Sequence, residues 1–437
     1  MKIKAFYLLG LVFVLGLQGL SAQVLTLSPY SRYGIGDIFN NTTVRNASMG
    51  GVGVATDNYF SVNRINPASF ADLVFTTLDA STFGQGSRFR NNDATENQIT
   101  AGLRALNFAF PSNGGPSFVM GFSPYSTVGY EIQDFSDIEL ENDSLIQERR
   151  FQASGGLNQA YIGLGFKTLN RRLSIGGAFQ FSFGSINYDW ANLIRNQDSS
   201  LNSNFQAITA TEERFVRGSS GQFGLIYQDT LNKTKNVLIR LGATADLAID
   251  FSEDSRGEFS NTTITDTLKS RTFDRRDISL PAKFGLGFSI SRPGYYTFSA
   301  DATYQDWTDF EDNSSSIVLG QELRVATGVE WTPKYDGFKY FGRVNYRFGA
   351  FYKQSYIANF GDNAINDFGV TFGIGLPASR QGNSRLNQGR STSRVNLGVI
   401  LGRRGDLNNG QPLEELYARI ILGVSLNDRW FIRRVVD

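Results

Sequence analysis

Val237-Leu238-Ile239-Arg240-Leu241-Gly242-Ala243-Thr244-Ala245-Asp246-Leu247-Ala248-Ile249 is the stretch that decides the fold. In an extended chain Val237, Ile239, Leu241, Ala243, Ala245, Leu247 and Ile249 fall on one face, and Arg240, Gly242, Thr244 and Asp246 on the other. A period of two belongs to a strand rather than a helix. One face suits lipid and the other suits water. Strands of soluble sandwiches usually run about 5 to 6 residues, whereas about 9 to 11 residues cross a bilayer at a tilt; this stretch has the longer dimension.

The same split recurs along the chain. Tyr296, Phe298, Ala300, Ala302 and Tyr304 oppose Thr297, Ser299, Asp301, Thr303 and Gln305; Phe179, Phe181 and Phe183 oppose Ala178, Gln180 and Ser182; Leu416, Ala418, Ile420, Leu422 and Val424 repeat it near the end. Segments of this kind lie at 73–84, 99–110, 116–132, 148–167, 172–190, 210–228, 236–252, 275–291, 294–308, 316–332, 338–353, 366–377, 391–403 and 413–427. Fourteen strands predict an all-β protein, a 14-stranded antiparallel transmembrane β-barrel; an even count agrees with single-chain bacterial barrels. The connections alternate as such a barrel requires. Long loops are expected at 85–98, 133–147, 191–209 and 253–274, and short turns at 111–115, 168–171, 229–235 and 292–293; Ala378 to Arg390 is long where parity expects a short turn. Trp190 and Trp307 at outer strand ends, Trp331 at an inner end and Trp430 past the last strand fit the aromatic girdles.

Composition agrees by exclusion. The 437 residues include 46 Gly, 36 Phe and 18 Tyr but no Cys and no His, so nucleophile pairs built on imidazole or thiolate, disulfides and the usual zinc sites are ruled out. No enzyme activity, metal or cofactor is expected. With 42 Lys+Arg against 41 Asp+Glu the net charge is +1, which gives no electrostatic footprint for nucleic acid. A mean hydropathy of −0.23 argues against a bundle of membrane helices but not against a barrel whose lumen side is polar.

Two lysines, Lys2 and Lys4, an apolar run from Ala5 to Leu17 and small residues ending at Ala22 predict a secretory signal peptide over 1–22. Residues 23–72 do not alternate. They hold Asn46-Ala47-Ser48-Met49-Gly50-Gly51-Val52-Gly53-Val54-Ala55 and Arg64-Ile65-Asn66-Pro67-Ala68-Ser69. Gly51-x-Gly53 has neither the preceding strand nor the third glycine of a dinucleotide loop.

Here the sequence resembles the FadL/TodX family of outer-membrane transporters of hydrophobic compounds. The resemblance rests on Asn66-Pro67-Ala68, Phe122-Ser123-Pro124-Tyr125, Leu280-Pro281, Tyr304-Gln305-Asp306-Trp307, Gly328-Val329-Glu330-Trp331 and Gly373-Ile374-Gly375-Leu376-Pro377. The signal ending Ser21-Ala22-Gln23 and Asp428 to Arg434 look like Bacteroidetes members, although the chain lacks the terminal Phe of many outer-membrane barrels. The resemblance implies an amino-terminal hatch over 23–72 that plugs the lumen of a barrel over 73–427, with a periplasmic tail at 428–437. It implies a bacterial outer-membrane channel that takes up a hydrophobic small molecule, such as a long-chain fatty acid, by passive diffusion with plug rearrangement, and releases it sideways into outer-membrane lipid. The alternative is a non-transport barrel that docks other outer-membrane proteins, as PorV of type IX secretion does; an open polar porin is disfavoured by the 50-residue plug.

Such a channel needs an apolar groove and a cation for the carboxylate. Pro belongs in strands only at edges or bulges, so Gly121, Ser123 and Pro124 are the candidate kink for a lateral exit, the other reading being an ordinary bulge. Arg343, Asn345 and Arg347 share a face, and a lipid-facing Arg near the midplane costs about 2 to 4 kcal/mol. These residues, with Arg240 and Arg104, therefore face the lumen. Arg343, Asn345, Arg347 and Arg240 are the candidate ligand-binding residues, the competing role being pairing with acids such as Asp246 and Asp301 to fix the plug. Asn66, Pro67 and Ala68 form the candidate hatch motif, with Asn66 hydrogen-bonding to backbone. The acidic groups Glu139, Glu141 and Asp143, and Asp306, Asp309, Glu311 and Asp312, have the oxygen ligands a divalent ion needs but read better as solvated loops.

Overall fold

The computed structural model describes residues 28–428 apart from 41, 93, 113–114, 141–142, 199, 203–204, 206, 262–263, 273–275, 309, 311–318, 336, 338, 358–363, 379–392 and 412. The expected signal peptide, all of the expected tail beyond Asp428, Trp430, Glu141, Asp309, Glu311 and Asp312 lie outside the described residues.

Fourteen strands close on themselves. They are β1 (Thr76–Arg90), β2 (Thr95–Phe110), β3 (Ser117–Leu140), β4 (Asp143–Thr168), β5 (Leu173–Arg195), β6 (Ile208–Asn232), β7 (Val237–Asp246 resuming as Ile249–Asn261), β8 (Ile264–Thr272, Arg276–Leu280 and Lys283–Arg292), β9 (Tyr296–Asp306), β10 (Gln321–Trp331), β11 (Asn345–Gln354), β12 (Asn366–Pro377), β13 (Arg394–Arg404) and β14 (Glu414–Asp428). Each pairs antiparallel with its neighbours, and β14 pairs with β1 from Glu414↔Arg90 to Asp428↔Thr76, so the sheet has no free ends. Closure of this kind satisfies backbone groups where lipid offers no partner.

Side chains sort as the period of two requires. On β9 Tyr296, Phe298 and Tyr304 are exposed while Thr297, Ser299 and Asp301 are buried; Phe179, Phe181 and Phe183 of β5 point outward in the same way. Large apolar residues so exposed form the outer band of a barrel in lipid. Two expectations are corrected. Ile249 does not continue the lipid face of β7: the strand breaks after Asp246, the parity slips across Leu247 and Ala248, and Ile249 packs inside with Phe251 and Leu280. Trp307 is not a girdle residue either, being fully buried and stacked on Tyr356 with ring centroids 4.2 Å apart. Trp331, by contrast, is exposed at the short-turn end.

The long loops expected at 85–98, 133–147 and 253–274 are largely strand, since β1 runs to Arg90, β3 to Leu140 and β7 to Asn261, whereas the one expected at 191–209 is strand only to Arg195 and from Ile208. Beyond the lipid band both faces of a sheet meet water, so alternation fades while the hydrogen-bond ladder continues. The eleventh strand starts later than expected. Tyr340–Arg343 form a 3-10 turn before it, which leaves Arg343 outside the strand.

Residues 28–75 lie against the inner wall. They contain a 3-10 turn Pro29–Arg32, a two-residue strand Asp37–Ile38, the one-turn helix α1 (Val44–Ala47) and the 3-10 turn Pro67–Asp72. The Thr43 hydroxyl accepts from the Asn46 amide at the start of α1, and the Asn66 side chain accepts from the Ala68 amide at the start of the last turn. Both are the side-chain types that satisfy orphan amides at such starts. Wall glycines make room for this segment. A side chain on Gly224 would run into Asn66, one on Gly242 into the Val54 carbonyl, and one on Gly349 into Met49 and Gly50.

Candidate functional site

The wall is incomplete between β2 and β3. Their ladder runs only from Phe110↔Phe118 to Leu106↔Phe122. Beyond it β2 stays with β1 out to Thr95, and β3 stays with β4 out to Leu140. The separation begins at Pro124, which brings no amide hydrogen to a ladder. On the other side of β3 the register with β4 slips between Pro124 and Ser126, which pair with Asn158 and Leu157; the next two residues of β4 in the ladder, Gly156 and Gly155, have φ of +148° and +124°. Such φ values are open to glycine alone at little cost.

The amino-terminal segment occupies the gap. Asp37 and Ile38 pair with Thr127 and Ser126 of β3, and the Phe39 amide donates to the Tyr125 carbonyl over 2.9 Å. From the β2 side, Arg104 donates to the carbonyls of Thr42 (2.9 Å) and Asn40 (3.0 Å) and to the Thr42 hydroxyl (2.7 Å). Strand β2 thus meets β3 here through the amino-terminal segment rather than directly.

A cavity of about 310 Å³ lies behind this seam and reaches it at Thr100, Arg104, Tyr125 and Thr127. Ile38, Phe39, Leu247 and Ile249 give it an apolar side. Arg64 gives it a cation of unusual setting. Its buried guanidinium donates to Ser123 and Gln159 and lies 4.5 Å over the Tyr161 ring, with no carboxylate at ion-pair distance among the described residues. Burial pulls the Arg64 guanidinium below its usual value, against the pull of Tyr161 and Asp246. The contact to Ser123 places this cation one residue from Pro124.

Three polar clamps hold the segment to the wall. Asn66 donates to the carbonyls of Val54 (2.6 Å), Leu225 (3.2 Å) and Ala243 (3.4 Å), tying the amino-terminal segment to itself, to β6 and to β7. Asp72 takes Arg240 of β7 at 2.5 Å and Lys167 of β4 at 2.7 Å. Burial alone raises the Asp72 carboxyl, but the two cations outweigh it and hold the group below the ordinary carboxylate range. Glu330 of β10 lies between Arg45 of α1 (2.8 Å) and Arg347 of β11 (2.7 Å). Asp301 of β9 adds acceptors for the amides of Gly53 (2.5 Å) and Val54 (2.8 Å).

A family model described as BamG matches residues 2–437. The chain belongs to the BamG family. No curated protein matches it. Among solved structures this BamG-family barrel is similar to a FadL homologue of Pseudomonas aeruginosa (TM-score 0.58, 11% identity, 90% of this chain and 99% of that one). It is also similar to the Pseudomonas putida toluene transporter TodX (TM-score 0.56, 15% identity, 89% and 99%) and to the CymD monoaromatic hydrocarbon channel (TM-score 0.54, 11% identity, 89% and 98%). At these identities the likeness is one of fold, and the fold is that of the FadL/TodX barrels.

Within this BamG-family fold the residues singled out from sequence fall in three places. Gly121, Ser123 and Pro124 sit where β3 leaves β2. Asn66, Pro67 and Ala68 open the 3-10 turn that ends the amino-terminal segment. Arg240, Arg347 and Asn345 line the wall lower down, where Arg240 holds Asp72, Arg347 holds Glu330 and Asn396 (2.8 Å), and Asn345 donates to Thr332 (2.9 Å); Arg343 belongs to the preceding turn. None of the four lines the central cavity among the described residues. Arg64 was missed because it lies in a segment without alternation, where no period tells which way a side chain points. Of the acidic candidates, Asp306 accepts from the Thr308 amide and hydroxyl, and no acidic cluster shaped for a metal occurs among the described residues.

Proposed function

We propose that the chain is an outer-membrane channel for hydrophobic small molecules with a polar head, which pass between the central cavity and the membrane through the β2–β3 seam. The observation that carries this reading is the end of the β2–β3 ladder at Leu106↔Phe122, directly in front of the cavity. In this reading the segment 23–72 acts as the hatch: Asp37 and Ile38 leave the edge of β3 to let a molecule pass. Arg64 and Arg104 receive a carboxylate, since a buried guanidinium without an acid partner gains from one. The similar structures include a toluene transporter and a monoaromatic hydrocarbon channel, which supports a hydrophobic class of cargo. A fatty acid adds the charge that Arg64 answers.

The polar wall of the cavity favours a second reading. Lys283, Asp246, Gln180 and Gln222 line it beside the apolar side chains, and a barrel held shut by its hatch would serve as a docking subunit for other outer-membrane proteins. Uptake of labelled oleate and labelled toluene by a deletion strain, with and without the gene restored, separates the two. Restored uptake supports the channel, and uptake unchanged by the deletion sinks it.

A further inference from the structure

At the short-turn end of the barrel a second pocket of about 190 Å³ lies between the hatch and the wall. Three guanidiniums line it, those of Arg45, Arg347 and Arg394, against two carboxylates, Asp57 and Glu330. Both carboxylates are already engaged: Arg45 takes Asp57 at 3.2 Å and Glu330 at 2.8 Å, and Arg347 takes the other oxygen of Glu330. Arg394 reaches only the carbonyls of Arg343 and Gly375, each at 3.4 Å, and has no carboxylate at ion-pair distance among the described residues. Behind it the Nε of Arg343 is buried without an acceptor. The pocket therefore carries surplus positive charge in a confined space, which is costly unless an anion is brought in.

We propose that this pocket is an oxyanion site, separate from the central cavity, that takes a phosphate group presented from the short-turn end. Strand parity assigns that end to the periplasm. Arg347 of β11 and Arg394 of β13 both come up to Gly375 of β12, the strand between them, and two guanidinium forks suit a tetrahedral anion with several acceptor oxygens. Tyr295 and Tyr335, with ring centroids 6.4 Å apart, wall one side. The space admits a head group but not a long acyl chain. A phospholipid head group and free phosphate share this chemistry.

The test uses the full chain in detergent, titrated with inorganic phosphate and, separately, with a short-chain phosphatidic acid, both followed by phosphorus NMR. Saturable binding of phosphate identifies a free oxyanion as sufficient, and binding of the lipid alone identifies a head group; either supports the site. Arg394→Gln is expected to weaken binding at least tenfold, and Arg64→Gln in the central cavity to leave it unchanged. Asn396→Asp guards against a folding defect in the first variant. It changes almost no volume, sets a resident carboxylate beside Arg347, and is expected to abolish binding while the barrel keeps its heat-modifiable gel mobility. Absence of binding by both probes, or binding that survives Asn396→Asp unchanged, overturns the proposal.

Discussion

Arg240 of β7 and Asp72 of the amino-terminal segment stand 2.5 Å apart, and each side chain is only 1% exposed. Removing one partner of a buried pair costs about 3 to 5 kcal/mol because the other charge is left without compensation. Asp72→Asn leaves Arg240 with the Tyr59 hydroxyl as its remaining side-chain partner, so the hatch should release from the wall. The check is limited trypsin digestion of the folded barrel. New cleavage at Arg45 or Arg64 is expected in the variant, and protection equal to the parent would show that the pair is not a latch.

The same carboxylate sets a pH dependence. Asp72 is held below its ordinary value by Arg240 and Lys167. A group depressed in the folded state contributes stability that is fully present above its unfolded pKa, about 3.9 for Asp, and is lost as pH falls through the lower folded value. Hatch protection is therefore expected to hold at neutral pH and to decline only in acid below the ordinary carboxylate range. Protease protection measured after brief acid exposure reads this, and Asp72→Asn should remove its share of the acid step.

Ile38 and Ser126 are register partners across the seam. Because the chain has no cysteine, Ile38→Cys with Ser126→Cys gives one defined disulfide that ties the hatch strand to β3. Uptake of a hydrophobic substrate is expected to fall severalfold or more in the oxidised double variant and to return on reduction. Full uptake with the bond formed would mean that the seam is not the route.

Gly224 and Asn66 offer a test of fit. A methyl group on Gly224 would collide with the Asn66 side chain, so Gly224→Ala should expel it and forfeit its bonds to Val54, Leu225 and Ala68. Each lost buried hydrogen bond costs about 1 to 3 kcal/mol. Residues that share one contact do not add independently; in an Asn66→Ala background the glycine change should have almost no further effect on the melting temperature. Two full, additive losses would place the origin elsewhere in the wall.

Fourteen strands and their inward and outward faces were legible in the sequence because lipid imposes a period of two on every crossing. Tyr296 to Tyr304 illustrates this. The reading failed where that constraint ends. Outside the lipid band β3 continues to Leu140 with no apolar face to announce it, and at Leu247 and Ala248 a break in β7 turns Ile249 inward. At the site, Pro124 was readable as a breaker because its chemistry is local. The choice of arginine was not. Arg240 and Arg347 face the lumen as the cost of lipid exposure demands, yet whether a lumen arginine meets a resident acid or open space depends on Asp72 and Glu330, brought there by tertiary structure alone.

Gly224, Gly242 and Gly349 give the wall no side chains where the hatch presses against it. Other small barrels fill their lumen with the side chains of their own strands. Here that volume has been ceded to residues 28–75, and a barrel deprived of them would keep its shape but hold a water-filled tunnel. If the segment is the plug proposed above, the permeability barrier depends on a few clamps, and cells carrying the truncated barrel should admit bulky antibiotics that the parent excludes.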